Sequence, residues 1–115
     1  MRVASIDAGK QNSGQFKATT VFKAGDTLSI RAHVVDSGGN SVSGASVTIM
    51  VLKPDGSTQC TSTDLTGSDG NMMMTCGTSL SSPWGVWDAR LRTVSKTGYG
   101  TDMNQSTMDR YFTIE

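Results

Sequence analysis

The sequence predicts an all-β chain folded as an antiparallel sandwich of about seven to eight strands. Three observations predict it. Apolar residues recur with a period of two along most of the chain, the spacing that puts alternate side chains on one face of a strand. Turn signals built on Gly, Asn, Asp and Pro interrupt these runs every ~8–12 residues, the rhythm of a sandwich. The composition agrees, with 13 Gly and 15 each of Ser and Thr; Thr, like Val, is β-branched and suits pleated, half-buried positions.

The elements follow in order. Val3-Ala4-Ser5-Ile6 reads as a short first strand and the stretch from Lys10 to Gly14 as a loop. Phe16 to Phe22 reads as a second strand, with Phe16, Ala18, Thr20 and Phe22 on one face. Thr27 to Asp36 is the clearest strand: Leu28, Ile30, Ala32 and Val34 point to a core, and Ser29, Arg31, His33 and Val35 to water. Ser37-Gly38-Gly39-Asn40 is turn chemistry, because Gly and Asn tolerate positive φ. Ala45 to Leu52 follows, with Ala45, Val47, Ile49 and Val51 inward, which puts Met50 and Leu52 on the outer face. Lys53-Pro54-Asp55-Gly56 turns the chain. Ser57 to Asp64 and Asn71 to Thr78 read as the arms of a hairpin, joined through a segment ending in Asp69-Gly70. Trp87, Ala89, Leu91 and Thr93 form the next inward set, and Tyr111 to Ile114 the last strand.

The length of 115 residues suits one domain, residues 1–115, with no linker or internal repeat. Lys plus Arg and Asp plus Glu number 10 each and are scattered. A nucleic-acid partner, which needs a basic face, is therefore not expected. No apolar run approaches the roughly 20 residues of a membrane-spanning helix.

The run from Phe22 onward resembles the immunoglobulin-like modules of bacterial surface and secreted proteins, of fibronectin-like or invasin-like type. Carrying the likeness are Lys23-Ala24-Gly25-Asp26-Thr27-Leu28, Val35-Asp36-Ser37-Gly38-Gly39-Asn40-Ser41-Val42-Ser43-Gly44-Ala45-Ser46-Val47, Pro54-Asp55-Gly56-Ser57 and Asp69-Gly70-Asn71. Ser41 stands where such modules usually carry Pro. The resemblance implies an immunoglobulin-like sandwich over residues 3 to 114, exported or displayed at the cell surface and cut from a larger polypeptide. It implies an accessory role, often C-terminal to a hydrolase, and brings no catalytic residues with it.

Cys60 and Cys76 are the only cysteines. Placed on the two arms of one antiparallel hairpin, they come within disulfide reach. Closing that loop stabilises by about 3 kcal/mol in the chain-entropy model. Two buried free thiols are the alternative; a redox pair lacks the Cys-x-x-Cys spacing that lowers a thiol pKa. His33, the one histidine, falls on an outer strand face without the nucleophile and orienting group that a catalytic base needs. One histidine and two paired cysteines do not make a zinc site. No enzyme and no cofactor are expected. Asp7, Asp36, Asp64, Asp69, Asp102 and Asp109 fall at strand ends or loops, where they either converge on a structural calcium ion or bond local backbone.

The candidate contact residues are apolar. Met50, Leu52 and Met73 fall on outward positions, as Met72 and Met74 take the inward ones, and together could dock a neighbouring domain. Trp84 follows Pro83 at a strand start and reads as exposed, a platform for a sugar or an apolar partner, while Trp87 reads as core. Asn104-Gln105-Ser106 fits the glycosylation acceptor pattern. The expected function is a non-catalytic accessory or interaction module, with a neighbouring domain of the parent polypeptide as partner; the alternative is a carbohydrate- or ligand-binding module using Trp84.

Overall fold

The computed structural model describes residues 1–12, 14–103 and 106–115. Its nine strands are β1 (Arg2–Asn12), β2 (Gln15–Ala18), β3 (Val21–Phe22), β4 (Thr27–Val35), β5 (Ser46–Leu52), β6 (Thr58–Leu65), β7 (Asn71–Gly77), β8 (Gly85–Ser95) and β9 (Asp109–Ile114). They form an immunoglobulin-like β-sandwich of a four-stranded sheet, β2-β1-β4-β7, and a five-stranded sheet, β3-β9-β8-β5-β6. All pairings are antiparallel except β3 with β9.

The core is the set of inward phases. Val3, Ile6 and Ala8 from β1, Leu28, Ile30, Ala32 and Val34 from β4, and Met72, Met74 and Cys76 from β7 face Val47, Ile49 and Val51 from β5, Trp87, Ala89 and Leu91 from β8, and Phe112 and Ile114 from β9. Trp87 is fully buried, and its indole Nε1–H donates to Pro83 O at 3.0 Å, so the ring enters the core without an orphaned donor. Phe112 packs edge-on to Phe22 at 5.3 Å between centroids and against Trp87 at 6.2 Å.

The elements depart from the sequence reading at four places. The first strand runs through Asn12, so Lys10 and Gln11 are strand and not loop. The second expected strand is two. β2 hairpins onto β1, where Thr19 N bonds Ala8 O; the chain then changes sheets, with Thr113 N bonding Thr20 O and β3 lying alongside β9. Consequently Phe22 is buried and Ala18 and Thr20 are exposed. In β8, Thr48 faces Thr93 whereas Ile49 faces Leu91. That bulge at Arg92 reverses the phase, so Val94 is buried and Thr93 exposed. On the outward phase of β4, Ser29 and Val35 are buried rather than wet.

A further departure concerns Cys60 and Cys76, which are bonded with Cα atoms 6.0 Å apart. They do not share a ladder. β6 pairs with β5 and β7 with β4, in different sheets, so the disulfide joins the two sheets at their β6 and β7 edges. The connection between these strands crosses from sheet to sheet because Thr66 anchors it: Thr66 N bonds Ala45 O, its hydroxyl donates to Val42 O at 2.6 Å, and it accepts from Ala45 N at 2.9 Å. Asp69-Gly70 then turns the chain into β7. Gly70 has φ of 79° and lies so close to Ser41 and Val34 O that a Cβ would meet them at 2.8 and 2.9 Å, so the position requires glycine twice over.

Candidate functional surfaces

The two outer faces of the sandwich carry the chain's remaining chemistry. On the five-stranded sheet, register sets three rows across neighbouring strands. Val21, Thr113 and Val86 form one; Tyr111, Asp88 and Leu52 the next; Asp109, Arg90 and Met50 the third. Val21, Val86 and Tyr111 are about half exposed, at 49%, 54% and 58%. Trp84, just before β8, is 76% exposed.

Beside these apolar groups sits a charged cluster the sequence reading missed. Arg90 Nε lies 3.2 Å from both Asp88 Oδ2 and Asp109 Oδ1, and Arg90 Nη2 lies 3.0 Å from Asp88 Oδ2. Asp88 is buried, and its Oδ1 has no hydrogen-bond partner among the described residues. Burial first, then the adjoining Asp109 carboxylate, pushes the Asp88 carboxyl up to about 6; the Arg90 guanidinium opposes the rise without cancelling it. In the other direction, Asp109 first and Asp88 with it hold Arg90 more firmly protonated. The sequence signal was there: Asp88 and Arg90 are two apart on the outward phase of β8, but their partner Asp109 is a strand away.

The expected contact residues do not form one patch. Met50 is half-buried on the five-stranded face, 3.3 Å from Arg92 Nη1. Met73, 37% exposed, lies on the opposite face of the sandwich, with its Sδ 3.1 Å from Gln11 Nε2. Leu52, expected outside, is buried. It stands between Thr58 and Asp88 at the start of the Lys53–Ser57 turn. That turn brings Pro54 close to Gly85 at the start of β8.

On the four-stranded face, His33 is half-buried and part of a polar line. Its Nδ1 lies 2.9 Å from Asn71 Oδ1 and its Nε2 3.5 Å from Ser41 Oγ. The spacing resembles nucleophile, base and orienter, but the neighbouring backbone donors are committed. Asn40 N bonds Asp36 Oδ1, Val42 N bonds Val34 O, Gly70 N bonds Gly67 O and Asn71 N bonds Asp69 Oδ1. No pair of these N–H groups is left to stabilise an oxyanion beside Ser41. The line ties the β4–β5 connection to β7.

The six aspartates do not converge; among the described residues, no group of three His, Cys, Asp or Glu could hold a metal ion. Asp36 caps Gly38 N and Asn40 N, which pull its carboxyl below the ordinary range, Asn40 most. Asp69 is lowered chiefly by the backbone N–H of Asn71. Asp64 accepts from Leu65 N and Asp7 pairs with Arg31, while Asp109 holds Arg90. Asp102 N bonds Met1 O. The acceptor Asn104 lies outside the described residues. No helix is long and apolar enough to cross a membrane among the described residues. Compared with known proteins, the chain matches no family model and no curated protein.

Proposed function

We propose that this chain is a non-catalytic accessory or interaction module of a secreted or cell-surface bacterial protein, and that it works by docking the outer face of its five-stranded sheet against a neighbouring domain of the parent polypeptide. The observation that carries the reading is the set Val21, Val86 and Tyr111, three large apolar side chains left about half exposed on one sheet face. Each forgoes part of a burial worth about 1.5–3 kcal/mol for a fully covered side chain, which a partner restores. The disulfide supports an oxidising compartment. The fold and the resemblance to bacterial immunoglobulin-like modules support the accessory role, though folds host many functions.

Site-specific photo-cross-linking in the parent polypeptide tests this. A photoreactive residue at Val86 or Tyr111 is expected to cross-link to the adjoining domain, and one at Met73, on the opposite face, is not. Equal cross-linking from all three positions, or none from Val86 and Tyr111, would refute the docking face. Turnover of an ester, peptide or glycoside by the purified chain, abolished by His33→Ala, would refute the non-catalytic reading.

Trp84 favours a second reading, a carbohydrate- or other ligand-binding module. An indole 76% exposed beside Pro83 is a surface on which a sugar ring stacks. Quenching of Trp84 fluorescence by soluble oligosaccharides, absent in Trp84→Ala, is its test.

A further inference from the structure

A buried carboxylate sits inside the face proposed to dock. Asp88 stands in register between Tyr111 of β9 and Leu52 of β5, and Val86 precedes it by two on the same outward phase of β8. Its Oδ2 is held by Arg90, through Nη2 at 3.0 Å and Nε at 3.2 Å. Its Oδ1 has no hydrogen-bond partner among the described residues and essentially no surface open to solvent. A neighbour laid over this face cannot reach Oδ1, and finds Oδ2 already held by the guanidinium. The ionisable groups facing Asp88 are Asp109 and Tyr111 from β9 and Arg90 from β8 itself; β5 brings the uncharged Leu52 and Met50. Arg90 serves Asp88 and Asp109 together. With both carboxyls ionised, one negative charge in the cluster is left uncompensated.

We infer that docking of this face takes up one proton from solvent at Asp88, so that the face holds its neighbour more tightly in mild acid than in neutral or alkaline solution. This coupling rests on the docking of that face proposed above and specifies its regulation. An apolar cover removes the water that screens the excess charge and supplies no group that can reach the buried oxygen, so it disfavours the ionised form. Once Asp88 is protonated, Arg90 and Asp109 pair one to one and the covered cluster is neutral. The proton has a place to go, because Asp109 interacts directly with the Asp88 carboxyl. Burial first, and Asp109 next, already push that carboxyl up to about 6 in the uncovered chain. Covering the face moves it further in the same direction. The added docking strength is fully present below the uncovered value and is lost as pH rises through the covered one.

Two readouts test the coupling. The carboxyl-carbon chemical shift of Asp88, followed by NMR from acid to alkaline solution, is expected to titrate about one pH unit higher in the parent polypeptide than in this chain alone. Over the same range, photo-cross-linking from Val86 to the neighbouring domain is expected to decline with rising pH, as docking weakens about tenfold. Asp88→Asn, neutral at every pH, is expected to dock throughout as the unsubstituted protein does in acid. Asp109→Asn removes the adjoining carboxylate and is expected to move the decline to lower pH. Equal titration of Asp88 in the two proteins, cross-linking from Val86 that ignores pH, or a decline that persists in Asp88→Asn overturns the coupling and leaves the docking face standing. No cross-link from Val86 at any pH, in the unsubstituted protein or in Asp88→Asn, overturns both.

Discussion

The two outer faces of this sandwich are built from the same pleat and do opposite things with it. On the five-stranded face, large apolar side chains stand half exposed around a buried carboxylate, with Val21, Val86 and Tyr111 about Asp88. On the four-stranded face the outward positions are mostly polar, Ser29, Arg31, His33, Asn71 and Thr75 among them, with Met73 partly exposed between them. There the one large ring, Phe16, folds back over Gly9 and lies under the Arg31 guanidinium, whose carbon is 4.4 Å from the ring centroid. Arg31 in turn reaches Asp7 at 3.5 Å. The polar face covers its own apolar group with the chain's own side chains; the apolar face does not. Under the proposed function the uncovered aromatic and aliphatic groups are the docking surface, whereas the cation stacked on Phe16 keeps that ring from offering one on the other face.

Breaking the joint between the faces has the largest expected effect. Cys60→Ala with Cys76→Ala removes the sheet-to-sheet bond and is expected to lower stability by about 3 kcal/mol, a loss of roughly 10–15 °C in Tm. Equilibrium unfolding in denaturant checks it. A loss confined to one sheet in hydrogen exchange would show that the bond does not hold the sheets in common.

Changing the charge on the five-stranded face comes next. The folded Asp88 carboxyl lies near 6 and its unfolded value near 3.8. The folded state therefore binds the proton more tightly than the unfolded one. The stability this contributes is fully present below the unfolded value and is lost as pH rises through the folded one. The difference corresponds to roughly 2–3 kcal/mol. Asp88→Asn, which cannot ionise, is expected to remove that dependence and to be the more stable protein in neutral solution. On the polar face the sign reverses. Asp36 and Asp69, lowered by backbone N–H groups, contribute stability present above the ordinary carboxylate value and lost as pH falls through their own. Denaturation midpoints of the two proteins across pH check both signs. Parallel curves for parent and Asp88→Asn would remove the carboxyl pair from the account.

The buried Ser29 hydroxyl on the polar face gives a smaller effect of opposite sense. Ser29→Ala is expected to raise stability by about 1 kcal/mol, because a buried hydroxyl without a partner is removed. A loss of stability would mean that the hydroxyl is satisfied in the folded protein.

How far the sequence could be read follows from the same contrast. Strands with one buried face announce themselves, and Leu28 to Val34 and Val47 to Val51 are buried in the phase their alternation predicts. What alternation cannot carry is a change of partner. The sheet switch at Thr19 and Thr20 and the bulge at Arg92 each reverse a phase without changing composition. The cysteines were legible as a pair but not as a bridge between sheets, since that depends on Thr66 holding the crossover to Val42 and Ala45. Leu52 shares the outward phase of Met50 yet is buried, at a register shift between Val51 and Leu52 that alternation does not reveal. The Asp88, Arg90 and Asp109 cluster needed the pairing of β8 with β9, which no local pattern contains.

The central claim is that the five-stranded face is a contact surface rather than core, and the smallest expected effect tests it most directly. Val86→Lys with Tyr111→Lys is to be compared with Leu52→Lys by thermal unfolding, in the isolated chain and in the parent polypeptide. In the isolated chain the double variant is expected to stay within about 0.5 kcal/mol of the parent at each site, as exposed substitutions do. Leu52→Lys, which puts a long cationic side chain where a buried apolar one fits, is expected to be strongly destabilised. In the parent polypeptide the double variant alone is expected to release the neighbouring domain while both units stay folded. Collapse of the isolated double variant, or a two-domain protein indifferent to it, would contradict the account.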